Sequence, residues 1–148
     1  MITTVTLNAS IDKAYHMTQK IENGTVMRVA ETNNSAGGKG LNVARVVKLC
    51  GSDTKAAGLV GETRSCINIL DPEYGSTEYL EPGCQVTSEE EAAFLERFPD
   101  LIRDSDVVTI SGSAPRGMGS DIYKKMIRIV KDEGKKVILD TSRSEERR

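Results

Sequence analysis

Apolar and polar positions follow two rhythms along the chain, and the switching between them predicts strands alternating with helices. Residues 2–7 are β-branched enough for a strand, ended by the turn-prone run Asn8-Ala9-Ser10-Ile11-Asp12. Residues 17–29 are polar around Gly24 and fit a short hairpin or an extended segment. Residues 33–40, Asn-Asn-Ser-Ala-Gly-Gly-Lys-Gly, have loop composition. A helical pattern follows, with Leu41, Val43, Ala44, Val46 and Val47, running to about Cys50 where Gly51 is placed to end it. A second strand spans 54–60 and stops at Gly61. Residues 63–70 lean to β, the run Asp71-Pro72-Glu73-Tyr74-Gly75 supplies a turn, and 76–80 return as the partner strand. Ser88-Glu89-Glu90-Glu91 reads as an S-x-x-E capping box opening a helix whose Phe94, Leu95 and Phe98 share a face. Pro99 ends or kinks that helix. A third strand is expected at 106–111, then a small-residue loop at 112–117. The best helical pattern lies at 120–134, with Ile122, Met126, Ile129 and Val130 on one side, followed by a fourth strand at 136–140. Such alternation predicts an α/β fold with a mostly parallel sheet and right-handed crossovers. With its last strand near the chain end, that sheet has an unfinished edge.

Composition adds few constraints. The 148 residues suit one domain. The apolar share is 38%, with 4% aromatic residues and no Trp, so the core is built from Val, Ile, Leu and Ala, as suits a sheet buried on both faces. A net charge of −2 with interspersed signs gives no nucleic-acid footprint, and the charged tail 143–148 reads as a solvated end. No apolar run approaches a membrane span and no signal-peptide pattern opens the chain. Cys50, Cys66 and Cys84 are odd in number and lack metal-ligand spacing, so they read as small apolar residues in a reduced, cytoplasmic setting.

Three local features carry candidate chemistry. Gly37, Gly38 and Gly40 would let backbone N–H groups approach an anionic or polyhydroxyl ligand at a helix start, or would simply make a tight turn. Lys39 is followed by Gly40, so the loop is not a Walker A motif. Asp12 after a strand is either a turn former or an acceptor for sugar hydroxyls. The loop after Ser111 offers N–H donors, and Arg28 and Arg64 are candidate phosphate contacts or surface arginines. His16 is the single histidine and reads as structural or exposed. No catalytic triad or metal site can be assembled.

Taken in order, these features resemble PfkB-type (ribokinase-like) carbohydrate kinases. The run Ala36-Gly37-Gly38-Lys39-Gly40-Leu41-Asn42-Val43-Ala44, then Gly51, then Gly61, is similar to that family's first signature. VTLNASID resembles the opening TLNPAID of the 1-phosphofructokinase and tagatose-6-phosphate kinase branch, with Ala9-Ser10 as departures. ETRSCINILD with STEYLEPG resembles the branch's lid hairpin, at about 63–81, and ISGSAPRG its ISGSLPPG loop, with Ala114 and Arg116 departing. VILDTS is similar to a later family strand.

The resemblance implies a ribokinase-like, mostly parallel three-layer sheet with a β-hairpin lid, here incomplete. It implies ATP- and Mg²⁺-dependent phosphorylation of a ketohexose phosphate, fructose 1-phosphate or tagatose 6-phosphate, to the bisphosphate. Asp12 would bind sugar hydroxyls, Gly38, Lys39 and Asn42 would line the sugar site, and Arg28, Arg64 and Ser113 would approach the phosphate. Asp140 would lie near the Mg²⁺–ATP phosphates. Family members carry a helix and a strand between the positions of Gly61 and Glu62, and here a deletion is expected. They also continue past Ser142 into a second half holding the Gly-Ala-Gly-Asp loop with the catalytic base, a motif absent from this sequence. The expectation is a kinase domain over 1–142 with a non-family tail, 143–148, inactive alone. A missing half supplied in trans, a homodimer through the lid, a non-catalytic sugar-phosphate-binding fragment and a gene remnant are the alternatives. No nucleic-acid or membrane partner is expected.

Overall fold

A computed structural model describes residues 1–58 and 63–141. The junction of Gly61 with Glu62, the end of the second strand at Val60, Ser142 and the tail 143–148 lie outside the described residues. The elements in order are β1 (Ile2–Thr6), β2 (Ser10–His16), β3 (Glu31–Gly37), α1 (Lys39–Leu49), β4 (Thr54–Gly58), β5 (Arg64–Asp71), β6 (Gly75–Leu80), α2 (Ser88–Ile102), β7 (Val107–Ser111), α3 (Ile122–Asp132) and β8 (Lys136–Asp140).

Two four-stranded sheets result. In the first, ordered β4-β1-β7-β8, every pairing is parallel, as the strand–helix alternation predicts. Period-2 alternation splits its faces. Val5, Val108 and Ile110 point into a core with Phe94, Phe98 and Ile102 of α2 and Ile122, Met126 and Val130 of α3. Thr6 points the opposite way, toward α1, whose Gly40 sits against it. The sheet is therefore the middle of three layers, and the expected α/β class with its mostly parallel three-layer sheet is borne out. Phe94 and Phe98, one helical turn apart, stack at 5.4 Å between centroids and anchor the core face.

The second sheet, ordered β3-β2-β5-β6, contains the expected hairpin as β5 and β6, which pair antiparallel from Cys66–Leu80 to Asp71–Gly75. Its turn is held by the buried Asp71 carboxylate, which accepts from the N–H groups of Glu73 and Tyr74 at 2.9 and 2.8 Å. The other half of this sheet corrects the sequence reading. The segment 8–12 is not simply a turn, because Ser10–His16 form β2, parallel to β5. The segment 33–40 is not a loop, because Glu31–Gly37 form β3, antiparallel to β2. Six of the seven β3 residues are exposed, so its ladder is made by backbone hydrogen bonds and leaves no apolar alternation to read. Residues 17–30 contain no strand and link β2 to β3.

Two helix details also differ from expectation. The capping box of α2 is shifted by one residue. Thr87 is the N-cap, its hydroxyl accepts from Glu90 N–H at 3.2 Å, and the Glu90 carboxylate accepts from Thr87 N–H at 2.8 Å. That frame frees Glu91 to turn inward, where it accepts from Gly119 N–H at 2.6 Å and Lys125 Nζ at 2.8 Å, joining α2 to α3. Pro99 lies inside α2, which continues to Ile102, whose side chain is fully buried in the core. Burial of Ile102 offsets the missing proline N–H. Nor are the cysteines core residues: Cys50 is exposed, and Cys66 and Cys84 are half-buried free thiols. No helix among the described residues is long and apolar enough to cross a membrane.

The shifted cap separates two substitutions. Thr87→Ala is expected to lower unfolding free energy by about 1 kcal/mol, and Ser88→Ala to change it by under about 0.5, read by urea denaturation. Glu91 has an acid signature as well. The Lys125 ammonium and then the Gly119 N–H hold its carboxyl below the ordinary value of 4.5. Its contribution is therefore complete above that value and is lost as pH falls through the lowered folded-state pKa. Glu91→Gln should flatten the acid limb of the stability–pH curve.

Candidate functional site

The C-terminal ends of the parallel strands are where open α/β sheets place their ligands. Here β1 runs out at Thr6 into Asn8, β7 runs out into Gly112 and Ser113, and α1 begins beside both. The approach of α1 is set by glycine. Gly38, its N-cap, has φ of 113°, and a Cβ there would lie 2.8 Å from the Thr6 methyl. A Cβ on Gly40 would fall 2.2 Å from Thr6 Oγ1 and 2.6 Å from the Val5 carbonyl oxygen. No side chain caps this helix, so its first N–H groups and dipole face the ligand side.

The small sheet closes the opposite side. Between it and the strand ends lies a cleft of about 490 Å³. Of the eight residues the sequence singles out, six line it: Asp12, Gly38, Lys39, Asn42, Arg64 and Ser113. Asp12 reaches it from β2 rather than from the end of β1, and accepts from Ser10 Oγ at 2.8 Å. Its carboxylate rests on Gly37, where a Cβ would stand 2.0 Å from Oδ1. A side chain at position 37 would push the Asp12 carboxylate out of this place. Asn8 Nδ2 donates to Ser113 Oγ at 3.3 Å, tying the exit of β1 to the loop after β7. That loop is shaped by Gly112 (φ 101°), whose N–H donates to the Asp140 carbonyl at 2.9 Å and where an added Cβ would meet the Lys39 side chain at 3.5 Å.

Arg64 begins β5, donates through Nη1 to the Glu81 carbonyl at 3.3 Å, and has a buried Nε without a partner. Lys13, Lys39 and Arg64 among the lining residues outnumber Asp12 and Glu78, so the cleft is biased toward an anion yet retains a carboxylate acceptor.

Two candidates are not brought in. Arg28 is exposed in the 17–30 connection and does not line the cleft. Asp140 ends β8 with an exposed side chain, outside the cleft. His16 is half-buried at the end of β2, with Asn33 Nδ2 at 3.5 Å from its Nε2. The sequence reading missed Asn8, Ser10, Cys66, Asn68 and Glu78. A strand register for 10–16 would have found the last four, since Asp12 pairs with Cys66 and Asn68 with Glu78, whereas Asn8 comes in from the exit of β1.

Known proteins share this arrangement. Residues 5–73 match the model of the pfkB family carbohydrate kinases, a stretch from β1 through the glycine entry of α1 into the hairpin. In fold, the chain is similar to a possible 1-phosphofructokinase from Thermotoga maritima, with a TM-score of 0.79 and 26% identity over 96% of this chain and 54% of that one. It is similar to Escherichia coli phosphofructokinase-2 in complex with fructose-6-phosphate (TM-score 0.76, 22% identity, 97% of this chain and 55% of that one). The tetrameric inhibited form of that enzyme gives 0.72 and 22%, over 95% and 54%. The chain spans about half the length of these structures. Its architecture is that of the ribokinase-like sugar kinases. The resemblance to PfkB-type carbohydrate kinases, and to phosphofructokinases among them, is borne out.

Gly40→Ala tests the close approach of α1. Alanine favours an exposed helix interior by roughly 1 kcal/mol, yet here overpacking should prevail and cost about 1–3 kcal/mol. Chemical denaturation reads the sign directly, and a stabilised variant would show that α1 does not seat on β1.

Proposed function

We propose that the cleft binds a ketohexose phosphate and is the acceptor side of an ATP-dependent sugar-phosphate kinase. The observation that supports this most is the convergence of Asp12, Lys39, Asn42, Arg64 and Ser113 in one cleft at the strand ends. Asp12 accepts hydrogen bonds from sugar hydroxyls, the Asn42 amide donates to a ligand oxygen, and Gly38 lets the sugar approach the backbone. Lys39 and Arg64 neutralise the phosphate, with Ser113 donating to it; Arg28 joins them only if the 17–30 connection moves. Fructose 1-phosphate and tagatose 6-phosphate are the proposed substrates. The segment 63–81 acts as a lid that excludes water from the transferring group. The domain comprises 1–142, and its setting is cytoplasmic.

ATP and Mg²⁺ supply the phosphoryl group and its charge neutralisation in such a reaction. Asp140 is this chain's candidate near those phosphates, but among the described residues no three His, Cys, Asp or Glu side chains gather to hold a metal ion. Mg²⁺ needs only one or two carboxylates besides the nucleotide phosphates, so Asp140 would hold it together with them; the sequence contains no Gly-Ala-Gly-Asp. We therefore assign the sugar-phosphate side of the site to these residues, and the base and the rest of the nucleotide site to residues outside them. Pairing through the lid is a second reading, favoured by Ile11, Tyr79 and Leu80, which leave the small sheet 41, 59 and 61% exposed.

Thermal unfolding with millimolar fructose 1-phosphate, tagatose 6-phosphate or fructose 6-phosphate tests the binding. A ligand at a hundredfold its Kd adds about 2.7 kcal/mol of apparent stability. One sugar phosphate should raise the midpoint, Asp12→Ala should abolish the rise, and no ADP should form with ATP and Mg²⁺. A cooperative transition unmoved by all three sugars would refute the binding reading.

A further inference from the structure

Asn42 lies in the first turn of α1 and lines the cleft, but its amide has two chemically opposite ends. Arg45, one turn along the same helix, decides between them. Its Nη1 donates to Asn42 Oδ1 at 2.8 Å, and its Nη2 donates to the Ala36 carbonyl near the end of β3. A guanidinium has no acceptor, so only the carbonyl end of the amide can face it. The Nδ2 end is then what Asn42 offers to a ligand.

Resting on the reading of the cleft given above, we propose that Arg45 is a positioning residue that fixes the Asn42 amide as a hydrogen-bond donor. This corner of the site therefore selects ligands presenting an acceptor oxygen, either a phosphate oxygen or a hydroxyl lone pair. The same fork ties the start of α1 to the end of β3, the strand whose Gly37 carries the Asp12 carboxylate. One side chain outside the cleft lining thus couples the helix that meets the ligand to the sheet that covers it.

The test compares the full chain with Arg45→Met, Arg45→Lys, Asn42→Ala and the Arg45→Met/Asn42→Ala pair. The readouts are Kd for the sugar phosphates and the Asn42 side-chain NH₂ resonances. Loss of one charge-assisted hydrogen bond corresponds to a weakening of roughly ten- to a hundredfold at most, and in this exposed setting about three- to tenfold is expected for Arg45→Met. Arg45→Lys should restore part of it, and Arg45→Met should add nothing once Asn42 is alanine. An equal loss in both backgrounds, or no loss in either, overturns the proposal. If the wild-type chain binds none of these sugars, the reading of the cleft fails on its own. The resonances then still decide the role of Arg45: unchanged Asn42 NH₂ signals in Arg45→Met overturn it, and shifted or exchange-broadened signals support it. Should Arg45→Met not fold, Arg45→Lys, which cannot form the planar fork, is read by the same resonances with the same two outcomes.

Discussion

The contact on which the rest depends is the seating of α1 on β1, where the helix presents glycine to the Thr6 side chain and the Val5 carbonyl. At Gly40 even a methyl group would lie 2.6 Å from the Val5 carbonyl oxygen, and at Gly38 a methyl group would press on Thr6. This closeness puts the uncapped N-terminus of the helix at the level of the strand ends, beside the loop that follows β7. It also carries Asn42 and Lys39 to the cleft, because both lie within the first turn. A helix one methyl group farther out would still pack, but its dipole and donors would be displaced from the ligand side.

The two faces of the parallel sheet are built differently, and the difference has a mechanical consequence. The face against α2 and α3 is a dense apolar core in which Val5, Phe98, Ile102, Val108, Met126 and Val130 are fully buried. The face against α1 is polar, with Thr4, Thr6 and Thr109 beneath it. Stability therefore resides on the side away from the glycine contact, and Glu91, reaching from α2 to Gly119 and Lys125, locks that side together. The ligand side is left to hydrogen bonds and close backbone approach, which suits a surface that must exchange water for a polar ligand. Among the described residues β8 pairs with β7 alone and β4 with β1 alone, and Ile138 and Leu139 of β8 are 58 and 42% exposed.

Much of this was legible in the residues themselves. β1, β7, α2 and α3 follow from local rhythm, because each buries a face and so repeats apolar residues at its own period, whereas β4, β8 and the β5–β6 hairpin were legible from short runs bounded by turn residues. The glycine run before α1 was equally legible, since a loss of side chains at three of four positions has few structural reasons. What the sequence determined by itself stops where local pattern stops. In β3 the polar residues 31–35 carry no alternation, for their ladder is satisfied by backbone alone, and only the register against β2 makes them a strand. Tertiary structure likewise chose Thr87 over Ser88 as the cap, since only that frame turns Glu91 toward Lys125. It also moved Asp12 from a strand end to the cleft face of a second sheet, left Arg28 and Asp140 outside, and set Arg45 on Asn42. The physical reason is common to them all. Each is a contact between segments far apart in the chain or a choice between near-equal local partners, and such choices are made by packing rather than by propensity.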